Sequence, residues 1–349
     1  TAPVFTPGDN FNTVLYTGDG TSSNAITGVG FEPNLTWIKN RSSSSNNHAL
    51  FDSVRGIQRE LRSDTTDAEI DYTATNYSLK SFDIDGFTVG DVTAGNYNVN
   101  GAVGGTYSGN AEFVAWSWKA GGAARNNTDG SVASLVSANT AAGFSIVSTQ
   151  SDGSGYLNFG HGLSQAPELV ITKFTSQTGQ WYTYTSAISN GFDVALKLNS
   201  ADAAITAYGA NKWSSTDSVV GVGNPQWYFT ANVPFITYCF HSVAGYSKIG
   251  SYTGNGSATG PIVTLGFEPA WIMIKRTDGT GGAWSMFDNK RSPSNPVQNV
   301  LQAQDSAAEA NVGNACNFNS NDFQLTDTND QRNANGGTYI FMAFATNPT

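Results

Sequence analysis

The sequence predicts an all-β chain, built as three tandem β-sandwich, jelly-roll-like repeats of about 100 residues each. Three observations carry that prediction. Charged residues fill only 13% of the 349 positions, against about 25% in average soluble proteins, and Gly, Ser, Thr and Asn make up the difference. Short runs of β-branched and aromatic residues ("NLTWIK", "LVITKF", "WIMIKR") alternate with turn clusters ("TGDG", "DIDG", "TGNG"), as strands joined by tight turns require. The third observation is an internal repeat.

Tyr16 to Asp52 aligns without a gap to Tyr252 to Asp288, and 13 of the 37 paired positions are identical. The identities include Gly30-Phe31-Glu32-Pro33 against Gly266-Phe267-Glu268-Pro269. A divergent copy, "GLSQAPELVITKF", lies between them and keeps the Pro-to-Lys spacing: Pro33 to Lys39, Pro167 to Lys173, Pro269 to Lys275. A second block follows in each copy, from Leu61, Leu196 and Leu301. Its first instance, "GIQRELRSDTTDAE", has helical composition, yet its counterparts "ALKLNS" and "VLQAQDS" argue for strand and turn. A third block closes each copy: "FVAWSWKA", "FITYCFHS" and "YIFMAFAT". In the first of these, Phe113, Ala115 and Ser117 alternate with Val114, Trp116 and Trp118, one set per face of a strand.

The repeats therefore run over residues 15–122, 143–245 and 246–349, the middle one divergent. Residues 1–14 read as an N-terminal lead. Residues 123–142, poor in aromatics and rich in turn formers, read as a linker or exposed arm. No comparable spacer separates the second and third repeats, so these two are expected to pack closely. The chain opens at Thr1 without a signal-peptide pattern, as expected if it is processed or lacks an N-terminal anchor.

Net charge is −10 and the pI about 4.6. An acidic chain gains little from counterion release at phosphate backbones, which argues against nucleic acid as a partner. No long apolar run or basic amphipathic helix predicts membrane insertion. The two cysteines, Cys239 and Cys316, have no metal or redox spacing, and Cys239 reads as a small buried thiol. No cofactor is expected.

Taken together, "GFEPAWIMIKR", "LFDSVRG", "DGFTVG", "YCFHSVAGYSKIGSYTGNG" and "AWSWKAGG" resemble an uncharacterised repeat domain of marine bacteriophage structural proteins, associated with tail fibres and virion appendages. The resemblance covers the chain from Asn12 onward, though the middle copy has "SQAP" where the others have "GFEP". It implies a non-enzymatic virion protein on the particle surface, foremost a tail fibre or appendage that contacts the host. Capsid decoration or a head fibre is the structural alternative, and a polysaccharide depolymerase the enzymatic one. The virion setting also implies other virion proteins as partners and a homo-oligomer, a trimer first among them.

The residues themselves assign no catalytic group. Glu32 and Glu268 recur beside a proline at a strand entrance while the middle copy has Ala166, a pattern of structure rather than of glycoside-hydrolase chemistry. Lys39, Lys173 and Lys275 end their strands and are expected on the solvent face or at a sheet edge. His48, His161 and His241 lack zinc-motif spacing. Asp83 and Asp85 in "DIDG" form a weak calcium candidate, with an Asp-Gly hairpin turn as the structural reading. For a host glycan the candidates are aromatic: Trp181, Tyr182, Tyr184, Trp213, Trp227 and Tyr228, whose ring faces suit sugar stacking if they are exposed.

Overall fold

The computed structural model describes residues 5–75, 77–90, 99–101, 111–188, 194–206, 213–223 and 230–345. Nearly all regular structure in it is antiparallel strand, so the chain is all-β with sandwich architecture. Helix is limited to one 3-10 turn at Pro7–Asp9 and one α-turn at Asp330–Asn333 among these residues.

One strand order recurs in three segments. In the first, Phe11–Thr17 pairs with Glu112–Trp118, which pairs with Leu35–Asn40 and then Ala49–Asp52. In the middle segment the same places are taken by Phe144–Gln150, Pro234–Phe240, Leu169–Phe174 and Tyr182–Thr185. In the third they are taken by Ser247–Thr253, Thr338–Phe344, Trp271–Arg276 and Ser285–Asp288. The chain-closing strand of each segment thus sits between the first strand and the strand that follows the repeated proline (Pro33, Pro167, Pro269).

Each of these sheets buries both faces, and the period-2 alternation of side chains decides which residue goes where. Val114, Trp116 and Trp118 point into one large cluster, whereas Phe113 and Ala115 point into a smaller one. The large cluster is common to all three segments: Trp37, Trp116 and Trp118 meet Ile171, Tyr238 and Phe240, and these meet Trp271, Met273, Met342 and Phe344. Ring contacts cross between segments, with Phe11 stacked on Phe344 at 5.1 Å, Trp118 edge-on to Trp271 at 5.7 Å, and Phe240 edge-on to Phe344 at 6.1 Å. The opposite face of each sheet is closed by its own outer strands over a private core. At about 150–250 Å² buried per aromatic side chain, the shared cluster makes a large apolar contribution to stability.

Two readings of the sequence are corrected here. Residues 123–142 do not form a linker: Arg125–Asn127 and Ser134–Asn139 add two strands to the edge of the middle sheet, Ser134–Asn139 pairing with Phe144–Gln150. Val136 is buried against the private core of that segment, so its alternate apolar positions were strand signal hidden among turn formers. Within residues 1–14, Phe11 and Val14 are core residues, and the first strand begins at Phe11.

Candidate functional site

The "GFEP" motif resolves into backbone geometry. Gly30 and Gly266 have φ values of 88° and 92°, the left-handed region where a side chain is strained and glycine is not. The amides of Gly28 and Gly30 donate to the Asp85 carboxylate at 3.1 and 2.7 Å, fixing the loop that enters strand Leu35–Asn40. Glu32 and Glu268 stay exposed beside it. Asp83 accepts from Thr88 Oγ1 at 2.7 Å. Both members of the calcium candidate therefore already accept hydrogen bonds, Asp85 from the facing Gly28–Gly30 loop and Asp83 within its own hairpin, and no cluster of three or more metal-ligating side chains occurs among the described residues.

The aromatic glycan candidates are redistributed by burial. Trp181, Tyr182, Tyr184 and Trp213 are at most 6% exposed and fill cores, with Tyr184 stacked on Trp213 at 3.5 Å. Their Ser/Thr-rich context suggested an open strand, but the strand is covered on both faces and its hydroxyls are buried too. Trp227 and Tyr228 lie outside the described residues.

The lysines overturn the solvent-face expectation most clearly. Lys39, Lys173 and Lys275 are 0%, 1% and 0% exposed. Each Nζ donates to the carbonyl of the next residue and to a carbonyl of another segment: Lys39 to Ser306 O at 3.0 Å, Lys173 to Thr66 O at 3.3 Å, Lys275 to Asp202 O at 2.7 Å. Lys39 adds a third acceptor, Asn46 O at 2.9 Å. Burial pushes all three ammonium groups down to about 8, against the pull of nearby carboxylates such as Asp64 at Lys39 and Asp202 at Lys275.

These contacts are one rung of a repeated ladder. Trp181 Nε1 donates to Arg62 O at 2.7 Å, and Trp284 Nε1 donates to Lys197 O at 2.9 Å. At the same place in the first segment stands His48, whose Nε2 meets Gln302 O at 3.0 Å. Trp37 Nε1 donates to His48 Nδ1 at 2.9 Å, so the proton must sit on Nε2 and the ring is neutral. Burial, and secondarily the Lys39 charge, hold its pKa well below the usual imidazole range. Backbone bonds complete the set: Glu69 N to Thr175 O, Ala204 N to Thr277 O, and Glu309 N to Arg41 O, at 2.8, 2.8 and 2.9 Å. First joins middle, middle joins third, and third joins first, so the three junctions close a ring.

Two of the junctions carry a buried charged cluster that sequence reasoning passed over. Asp52 accepts from the amides of Val54 and Arg55, from Arg55 Nε at 2.6 Å, and from Tyr238 OH of the middle segment at 2.8 Å. Asp288 accepts from the amides of Lys290 and Arg291, from Arg291 Nε at 2.5 Å, and from Trp116 Nε1 of the first segment at 3.0 Å. Arg55 and Arg291 then reach Glu69 at 2.9 Å and Glu309 at 3.1 Å. Burial works against the Arg55 charge, but Asp52, then Tyr238 and Glu69, hold its pKa above the ordinary value. The signal was present as Asp-x-x-Arg in both "FDSVR" and "FDNKR". An i,i+3 pair directly after a buried strand is a recognisable joint once the strand is known to be buried on both faces.

His161 and His241 are likewise buried, the first between Thr216 O and the Leu163 amide, the second against Ser242 O. Burial raises the Cys239 thiol to about 12 and raises Cys316 further still, which makes both poor nucleophiles. What the assembled groups do chemically is bind main chain and one another across the three junctions.

A family model described as a domain of unknown function (DUF7483) matches residues 6–348, and the chain belongs to that family. No curated protein matches the chain.

Proposed function

We propose that this member of the DUF7483 family is a non-enzymatic structural protein of a bacteriophage particle, a tail-fibre or appendage component displayed at the virion surface and contacting the host. The observation that carries this reading is the ring of junctions: the repeated lysines, Asp–Arg pairs and indole or imidazole groups all serve as joints between segments. A rigid body assembled in that way suits a mechanical role outside the cell. The resemblance of its repeated motifs to phage structural proteins supplies the virion setting.

On this reading the chain works as a firm knob that presents its surface loops, and copies of it, with a homotrimer first, turn weak host contacts into avidity. Immunogold electron microscopy of purified particles, with mass spectrometry of the same gradient fractions, tests it. Label on the tail or its fibres is the expected result. Label confined to the head would move the protein to capsid decoration, and a chain present in lysate but on no particle would refute the virion role. Purified protein that shortened a host polysaccharide would refute the non-enzymatic reading.

A further inference from the structure

The geometry points to a binding site for a neutral saccharide in the cleft that strands Arg125–Asn127 and Ser134–Asn139 create at the edge of the middle sheet. The inference rests on the proposal that the protein contacts a host surface, and it names where and to what. The two strands are an addition to the common plan. The equivalent outer strands of the other two sheets, Phe11–Thr17 and Ser247–Thr253, are themselves the edges.

The added strands prolong the core-facing side of the sheet beyond the core. Along strand Phe144–Gln150 the even positions begin in the shared cluster, at Phe144 and Ile146, and continue as Ser148 and Gln150 in the cleft wall. Ser148 lies opposite Leu135, and Leu135 lies opposite Asn126, so the three form one row across three strands. Leu135 is 49% exposed and offers an apolar platform, with Asn126 and Gln150 exposed around it. Asn232 and Asp152, whose carboxylate accepts from Ser154, complete the lining of a cleft of about 580 Å³. Gln150 Nε2 donates to Asn232 Oδ1 at 3.4 Å, and Asn232 holds a φ of 65°, a left-handed conformation uncommon outside glycine.

The lining decides the ligand class. Amides both donate and accept, as vicinal sugar hydroxyls do, and Leu135 provides the apolar floor on which the C–H face of a pyranose can rest. Among the described lining residues none is Lys or Arg, and the chain carries a net charge of −10. Sulfated, phosphorylated or carboxylated polymers therefore find no counter-charge here and are repelled at long range. The volume falls within the range of small-ligand sites, about 300–1,000 Å³, and an open, weakly apolar cleft of this kind binds weakly, so its use depends on many copies acting together.

The test is an NMR titration of the full chain with neutral tetrasaccharides of glucose, galactose, mannose and N-acetylglucosamine, with a heparin tetrasaccharide as the anionic counter-probe. At least one neutral sugar is expected to saturate at millimolar concentration and to shift amides within residues 126–152 and 230–234. Gln150→Ala and Asn126→Ala should each weaken it at least tenfold, and Leu135→Ala several-fold, with melting temperatures like that of the wild type because all three side chains are exposed. Asn232→Gly, which keeps the left-handed backbone but removes the amide, should weaken it as well. The proposal is overturned if no neutral sugar shifts those amides, if the shifts fall elsewhere, if heparin binds there as well as any neutral sugar, or if Gln150→Ala binds like the wild type. A chain found on the particle that binds no sugar would sink this site alone, whereas a sugar-binding chain absent from the particle would sink the virion role and leave the site standing.

Discussion

Two of the three junctions are polar at their centre and one is apolar, and the difference is concerted. At the first junction Asp52, Arg55 and Glu69 form a buried chain of charges that receives Tyr238; at the third–first junction Asp288, Arg291 and Glu309 receive Trp116. At the remaining junction the places of Asp, Arg and Glu are taken by Thr185, Ile188 and Ala204, and Met342 stands where Tyr238 and Trp116 stand elsewhere. Thr185 and Met342 are buried, and Ile188 and Ala204 pack against the shared cluster. No charge is left without its partner by the exchange. A buried ion-pair network can be replaced whole by apolar groups of similar volume at little cost, whereas deleting one member leaves an uncompensated charge in low dielectric. The main-chain rungs, by contrast, are kept at all three junctions.

That contrast can be broken in graded ways. Arg291→Met should be the most damaging, about 3–5 kcal/mol in urea unfolding, because Asp288 is left buried and charged. Replacing the cluster whole by uncharged groups of similar volume, with Asp288→Thr, Arg291→Met, Glu309→Gln and Trp116→Phe together, should recover at least half of that loss, because no acid is left buried and unpaired and the glutamine can still accept from Arg41. If the fourfold variant were the less stable of the two, the charged clusters would be contributing stability outright.

Next in size are the rungs. Lys39→Met strips donors from the carbonyls of Asn40, Asn46 and Ser306 and should cost about 3 kcal/mol at pH 7, and Lys275→Met, with fewer acceptors, about 2 kcal/mol. A pH dependence follows. In the unfolded chain each lysine titrates at about 10.4, but burial sets the folded values at about 8. Between these values the unfolded chain binds more protons, so the lysines make stability rise as pH increases from 8 towards 10. Melting temperatures across that range should rise less in Lys39→Met than in the wild type.

Trp284→Phe removes one indole donor from Lys197 O while keeping most of the ring, and should cost about 1–2 kcal/mol at the apolar junction. The smallest effect is a gain. Burial raises the Asp64 carboxyl to about 6, above its unfolded value, so its stabilising contribution is present below about pH 4 and lost as pH rises through 6. Asp64→Asn should therefore stabilise the protein at pH 7 by about 1 kcal/mol, allowing for partial solvent screening, with the gain gone at pH 4. A variant equally stabilised at both pH values would exclude the charge as the reason.

Much of the fold was legible because a strand buried on both faces announces itself. The alternation in "FVAWSWKA" correctly sorted Trp116 and Trp118 from Phe113 and Ala115, and the sequence blocks correspond to strands with the same pairing in each segment. The lysines misled for a reason that lies in the packing. A lysine ending a strand reads as surface when the strand belongs to an isolated sandwich, but here each strand end abuts another segment, whose carbonyls receive the ammonium. Four of the aromatic candidates misled in the same way, since Trp181, Tyr182, Tyr184 and Trp213 sit in polar sequence yet fill cores. One wall of the cleft on the middle sheet was hidden inside the stretch read as a linker, where Val132 and Leu135 were its apolar signal.

Three junctions and one shared core should make the chain fold as a unit, which urea unfolding of the whole chain followed by hydrogen exchange will show. One transition is expected, with core amides of residues 35–40, 169–174 and 271–276 losing protection at the same urea concentration. Three separable transitions, one per segment, would contradict it.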